Sequence, residues 1–66
     1  MDSLLNFAIE RTKETEKLFE IIVCNEYGHI IDNMYTTNDN ERENNETGKR
    51  LTKLNHGSYY RILRIK

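Results

Sequence analysis

The stretch Leu18-Phe19-Glu20-Ile21-Ile22-Val23-Cys24-Asn25-Glu26-Tyr27-Gly28 decides the fold. Its first seven residues are rich in β-branched and aromatic side chains and run straight into turn formers, the pattern of a strand entering a hairpin. Asn25 and Gly28 stand at the first and fourth positions of a type I turn, and Gly28 can take the left-handed conformation that closes a hairpin with a bulge. His29 to Thr36 supplies the returning strand. Under simple alternation Phe19, Ile21 and Val23 share a face with Ile31 and Tyr35, while Ile22, Cys24, Ile30 and Met34 share the other. Both faces carry apolar groups, so the hairpin over residues 18–36 belongs at the centre of a sheet.

Toward the N-terminus, residues 2–16 read as a helix. Asp2 or Ser3 can cap it, and Leu4, Leu5, Ala8, Ile9 and Thr12 fall on one stripe that fades after Ile9. Toward the C-terminus, Thr37 to Thr47 contains no hydrophobe. Nothing in it offsets the entropy of ordering, so residues 37–47 read as a mobile, acidic and Asn-rich loop. Ser58 to Ile65 alternates aromatic, aliphatic and basic residues and reads as a strand. Lys49 to Leu54 has two readings. It can pair with that strand across Asn55-His56-Gly57, with Leu51 facing Ile62 and Lys49 facing Arg64, or Leu51 and Leu54 can lie on a short helix ended by Gly57 at C′. The strand is the favoured reading. The expected fold is α+β, an N-terminal helix packed on a small, mostly antiparallel sheet of three to four strands made from two hairpins. Residues 1–66 form one small domain in this reading, with residues 48–66 as a basic hairpin or helix-strand unit.

A domain near this size buries only about 60% of the surface its unfolded chain exposes, so its core is marginal. Small folds often add a staple or a partner. Cys24 is the one cysteine, so no disulfide can form within the chain. Cys24, His29 and His56 match no zinc spacing, and no metal or cofactor is expected. An oligomer, a homodimer for example, or a bound partner is the favoured source of extra stability. No apolar run is long enough to span a membrane. Without the basic start and apolar stretch of a secretory signal, and with a single free thiol, the expected compartment is the cytoplasm. The sequon Asn45-Glu46-Thr47 is then idle.

The charges separate along the chain. Residues 1–46 hold all eleven carboxylates against Arg11, Lys13, Lys17 and Arg42, a formal −7. Residues 47–66 hold Lys49, Arg50, Lys53, Arg61, Arg64 and Lys66 with no acid, a formal +6. Such asymmetry suggests an electrostatic partner. The cations and the adjacent Tyr59 and Tyr60 are the candidate partner-binding residues. A larger protein with an acidic surface is the first candidate partner; nucleic acid, with the tyrosines stacking on bases, is the second. The −7 body repels a polyanion, which puts nucleic acid behind. The plain alternative is that the cations face water and guard a strand edge against aggregation.

No constellation for catalysis stands out. Cys24 and His29 flank the hairpin turn, but no third group orients the imidazole, and Cys24 reads as a small buried thiol. His56 reads as a solvated turn residue. Gly28, Gly48 and Gly57 are isolated and build no phosphate loop. An enzyme is not expected. The composition lacks Pro and Trp and holds eight Asn, which associates with AT-rich coding sequences such as those of phages and mobile elements. The expected function is a small non-catalytic protein-binding module, an inhibitor or modulator of a larger protein. The alternatives are a nucleic-acid-binding module and a structural homo-oligomer subunit.

Overall fold

A computed structural model describes residues 3–11 and 16–66. Its elements are α1 (Ser3–Arg11), β1 (Phe19–Cys24), β2 (Ile30–Thr36), α2 (Glu41–Leu54) and β3 (Tyr59–Arg64). The strands form one three-stranded sheet in the order β2-β1-β3, with β1 antiparallel to both neighbours. The α+β class matches the sequence reading. Three of its details do not.

The first correction concerns residues 37–54. A fourteen-residue helix, α2, occupies most of the expected loop and all of the expected third strand. Asn40 caps it, its Oδ1 accepting from the Glu43 N–H at 3.0 Å. Asn38 bonds both to Glu43 through Nδ2 (2.8 Å) and to the Asn40 N–H through Oδ1 (3.1 Å). The bonds to the Glu43 and Asn40 N–H groups satisfy donors that a helix start leaves orphaned, and the Asn38–Glu43 side-chain bond braces them. The far end closes in a Schellman motif, with Gly57 N–H bonding Thr52 C=O at 2.8 Å and His56 N–H bonding Lys53 C=O at 3.4 Å. Asn55 is the C-cap, so the left-handed C′ residue is His56, at φ 53°, and not Gly57. Gly57 is there for space: a Cβ on it would lie 2.5 Å from Val23 Cγ1.

The second correction concerns sheet order. With no strand over residues 49–54, β3 pairs with β1: Val23 faces Tyr60, Ile21 faces Ile62 and Phe19 faces Arg64. Only β1 is central, and β2 and β3 are both edges. The Leu51–Ile62 and Lys49–Arg64 pairings therefore do not occur. The helix that covers the sheet is α2, which packs on β3 and β1 far more than α1 packs on any strand. Leu4 and Phe7 of α1 remain exposed, with the Arg11 guanidinium 5.2 Å from the centre of the Phe7 ring. The expected cap at Asp2 or the Ser3 side chain, and the expected helical residues 12–15, lie outside the described residues.

The third correction is one of phase. The turn forms as expected, with Gly28 N–H bonding Asn25 C=O at 3.0 Å and Gly28 at φ 81°. The ladder then slips: Cys24 pairs with Ile30 and Val23 with Asp32, leaving Ile31 as an extra residue. A bulge of this kind inverts the alternation beyond it. Met34, opposite Ile21, therefore joins the face of Phe19, Ile21 and Val23, and Tyr35, opposite Glu20, joins the other.

The core is the central strand and its lead-in. Leu18, Ile21, Ile22, Val23 and Cys24 are buried. Ile21 and Val23 point toward α2, and Leu18, Ile22 and Cys24 lie on the opposite face. Leu18 extends the ladder, its C=O accepting from the Ile65 N–H at 2.8 Å.

Candidate functional site

The face that α2 lays on the sheet is polar, which is why no apolar period announced it. It presents Asn44, Asn45, Gly48, Leu51, Thr52 and Asn55, of which Asn44 and Gly48 are buried. Each polar group has a partner. Asn44 Nδ2 donates to Asn38 C=O at 2.7 Å, the Tyr60 hydroxyl donates to Asn45 Oδ1 at 2.8 Å, and Asn55 Nδ2 donates to Asp32 Oδ2 at 2.9 Å. Buried amides placed in this way cost little and fix the helix's register on the sheet. Gly48 sits directly over the Tyr60 ring. A Cβ there would come within 2.7 Å of Cε2 and 2.8 Å of Cγ.

This docking sorts the eight residues named from the sequence. Lys49, Arg50 and Lys53 lie on the second half of α2, whose first half carries Glu41, Glu43 and Glu46. The chain's charge boundary therefore falls inside one helix, acids toward the N-terminus and bases toward the C-terminus. That order complements the helix dipole, so part of the charge separation has an internal purpose.

Lys49 and Lys53, one turn apart, line a groove of about 390 Å³ with Thr52, Ser58, Tyr59 and Tyr60. Arg50, Arg61, Arg64 and Lys66 are outside that lining. Arg61 is opposite Ile22, on the sheet face away from α2, and Arg64 is opposite Phe19, on the α2 face. Arg64 Nε donates to the Lys66 C=O at 3.1 Å. Among the described residues, Lys49, Arg50, Lys53, Arg61 and Arg64 ion-pair with no carboxylate; the exposed pairs are Lys17–Asp39 at 4.0 Å and Arg42–Glu46 at 3.6 Å.

The two tyrosines part company. Tyr60 is wedged beneath α2 and bonded to Asn45, so it holds the helix in place. Tyr59 is the outward one, 42% exposed. A hydrogen bond with the Cys24 side chain raises the Tyr59 phenol above its usual range, against the opposing pull of Arg61. Cys24 thus meets Tyr59, while the His29 ring is tilted toward Tyr27 at 6.3 Å. A second cleft, of about 600 Å³, opens at the other end of α2 and is lined by Phe19, Asp39, Glu41, Asn44, Asn45, Tyr60 and Ile62. The two ends of the α2–β3 seam are therefore of opposite charge.

Sequence reasoning missed Asn44, Asn45, Gly48 and Asn55. The available signal was Asn40 followed three residues later by Glu43, a helix-start pattern that stands here without the apolar run that usually follows it. No described helix is long and apolar enough to cross a membrane. Comparison with protein-family models, with curated proteins and with solved structures gives no match.

Proposed function

We propose that this chain is a small, non-catalytic protein-binding module that modulates a larger protein through its basic end. One observation carries the reading: Lys49 and Lys53 line a groove at the start of the β3 edge, the exposed Tyr59 of the same edge turns its ring to the other sheet face beside Cys24, and among the described residues neither lysine ion-pairs with a carboxylate. An exposed aromatic beside unpaired cations is the kind of anchor that protein interfaces use, and the cations would steer an acidic partner to it.

The distribution of charge weighs against a nucleic-acid backbone as the partner. Glu46 and Lys49 are three residues apart on one helix, a rise of about 4.5 Å, so a phosphate chain following α2 would meet carboxylates at once. Arg61 lies on the opposite sheet face from the groove and adds nothing to a phosphate track along α2. An inhibitor or modulator encoded by a phage or mobile element fits the composition and remains part of this proposal.

The test is a tagged pull-down from host cells with and without nuclease, using the natural chain and the double variant Lys49→Glu, Lys53→Glu. The proposal expects a protein partner that survives nuclease and is lost from the variant, with circular dichroism showing the variant folded. Loss of the complex on nuclease treatment, with a steep inverse salt dependence of binding to random DNA or RNA, would replace it with the nucleic-acid reading.

A further inference from the structure

Every third or fourth residue of α2 serves the sheet, but one whole side of β3 serves nothing within the described chain. The bond from the Ile65 N–H to the Leu18 C=O sets the phase of the β1–β3 ladder. Antiparallel bonds alternate, so Tyr59, Arg61 and Leu63 turn their N–H and C=O groups toward β1, and Tyr60, Ile62 and Arg64 turn theirs outward. Among the described residues β3 is an edge with no strand beyond it. Such a row of open donors and acceptors is a template for another strand.

The side chains around that row are informative. A strand added beside β3 would alternate its own side chains between the two faces of the sheet. On the α2 face, near the start of β3, it would find Lys49 and Lys53. On the other face it would find Tyr59 and then Arg61. Further along β3 on the α2 face it would meet the cleft that Asp39 and Glu41 line beside Ile62. The edge thus offers cations on both faces at its Tyr59–Arg61 end, and carboxylates on the helix side of its middle. A polyanion lying on one face uses only half of that arrangement. An extended peptide uses both.

We infer that the β3 edge receives an extended segment of a partner protein by strand addition, with the segment's acidic residues placed beside Tyr59–Arg61 and uncharged residues beside Ile62. This rests on the protein-binding reading and names its mode. Main-chain bonds to Tyr60, Ile62 and Arg64 supply affinity, and the cations fix which end of the segment lies where.

The test uses the full chain and synthetic peptides of about ten residues, long enough to cover a strand of this length. The peptides alternate Val and Thr and carry a run of Glu at either the C-terminal or the N-terminal end. Binding is followed by NMR and by amide exchange. Strand addition expects slowed exchange at Tyr60, Ile62 and Arg64 while Tyr59, Arg61 and Leu63 stay as they were. It also expects one of the two peptides to bind more tightly, which reports strand direction. N-methylation of alternate peptide residues on the pairing side should abolish binding, and Lys49→Glu with Lys53→Glu should weaken it by about tenfold or more.

Equal binding of the N-methylated peptide, or binding without the alternating protection, would overturn strand addition. So would failure of both peptides to bind. A nuclease-resistant protein partner captured by the same chain would then leave the protein-binding reading standing. Tighter binding of oligothymidylate than of either peptide, through the same residues, would overturn both.

Discussion

At the scale of single residues, glycine positions carry the sharpest expectations, because each glycine is needed for a different reason. Gly48 lies mid-helix, where Ala is normally better by about 1 kcal/mol. Its missing Cβ is the space the Tyr60 ring occupies, and overpacking costs about 1–3 kcal/mol. The second term wins, so Gly48→Ala should lower the denaturation midpoint. Part of the loss should return when Tyr60→Leu is added, a coupling that a double-mutant cycle would report. His56 is the converse case. It holds φ 53° at the C′ position, so His56→Gly should stabilise the fold by roughly 0.5–1 kcal/mol. At Gly28, with φ 81°, Gly28→Val should cost more than Gly28→Asn, since a β-branched residue tolerates that conformation least. Equal midpoints for the last two variants would contradict the turn. The raised Tyr59 phenol adds a pH dependence. Its folded-state value lies above the unfolded one, so its contribution is complete below pH about 10 and is lost as pH rises through the folded value. Tyr59→Phe should remove that share of the alkaline fall in stability.

At the scale of elements, α2 is the least self-evident part of the molecule. Isolated from the sheet, a fourteen-residue helix with two Asn, a Gly and few apolar groups is marginal, so its stability comes from its cap and its docking. Asn40→Ala should cost about 1 kcal/mol by removing the Glu43 bond. The β1–β2 hairpin and the final strand were legible because each declares itself locally, through a β-branched run, a turn signature or strict alternation. The polar helix was legible only at its end, where Leu51, Leu54 and Gly57 allowed a short helix as the second reading. Its sheet-facing surface is made of side chains that satisfy hydrogen bonds across the interface, and the partners of Asn44, Asn45 and Asn55 lie six, fifteen and twenty-three residues away. Binary patterning cannot register contacts of that kind. The bulge at Ile31 was equally hidden, since one extra residue leaves composition unchanged while inverting every side chain after it. Of the candidate site, the residue types were legible in the basic tail, but their sorting depended on α2: it put Lys49 and Lys53 at the start of the β3 edge and drew Tyr60 inside.

At the scale of the whole molecule, a thin core carries the fold. Ile21 and Val23 are 0% exposed, and Ile21→Ala or Val23→Ala should each cost about 2–4 kcal/mol. That is a large fraction of the stability a small domain has, so either variant should be largely unfolded at modest denaturant concentration. The charge asymmetry that looks like a body and a tail in the sequence becomes a seam between α2 and β3 with an acidic and a basic end. Every functional statement depends on that seam, and the seam depends on Gly48 resting on the Tyr60 ring. The most direct measurement is therefore an NMR spectrum of the free chain in solution. The account predicts strong cross-relaxation between the Gly48 α-protons and the Tyr60 ring protons, ring-current shifts of those α-protons, and slowed amide exchange from Asn44 to Leu54. Random-coil shifts and fast exchange across residues 41–54, with no contact between Gly48 and Tyr60, would contradict it.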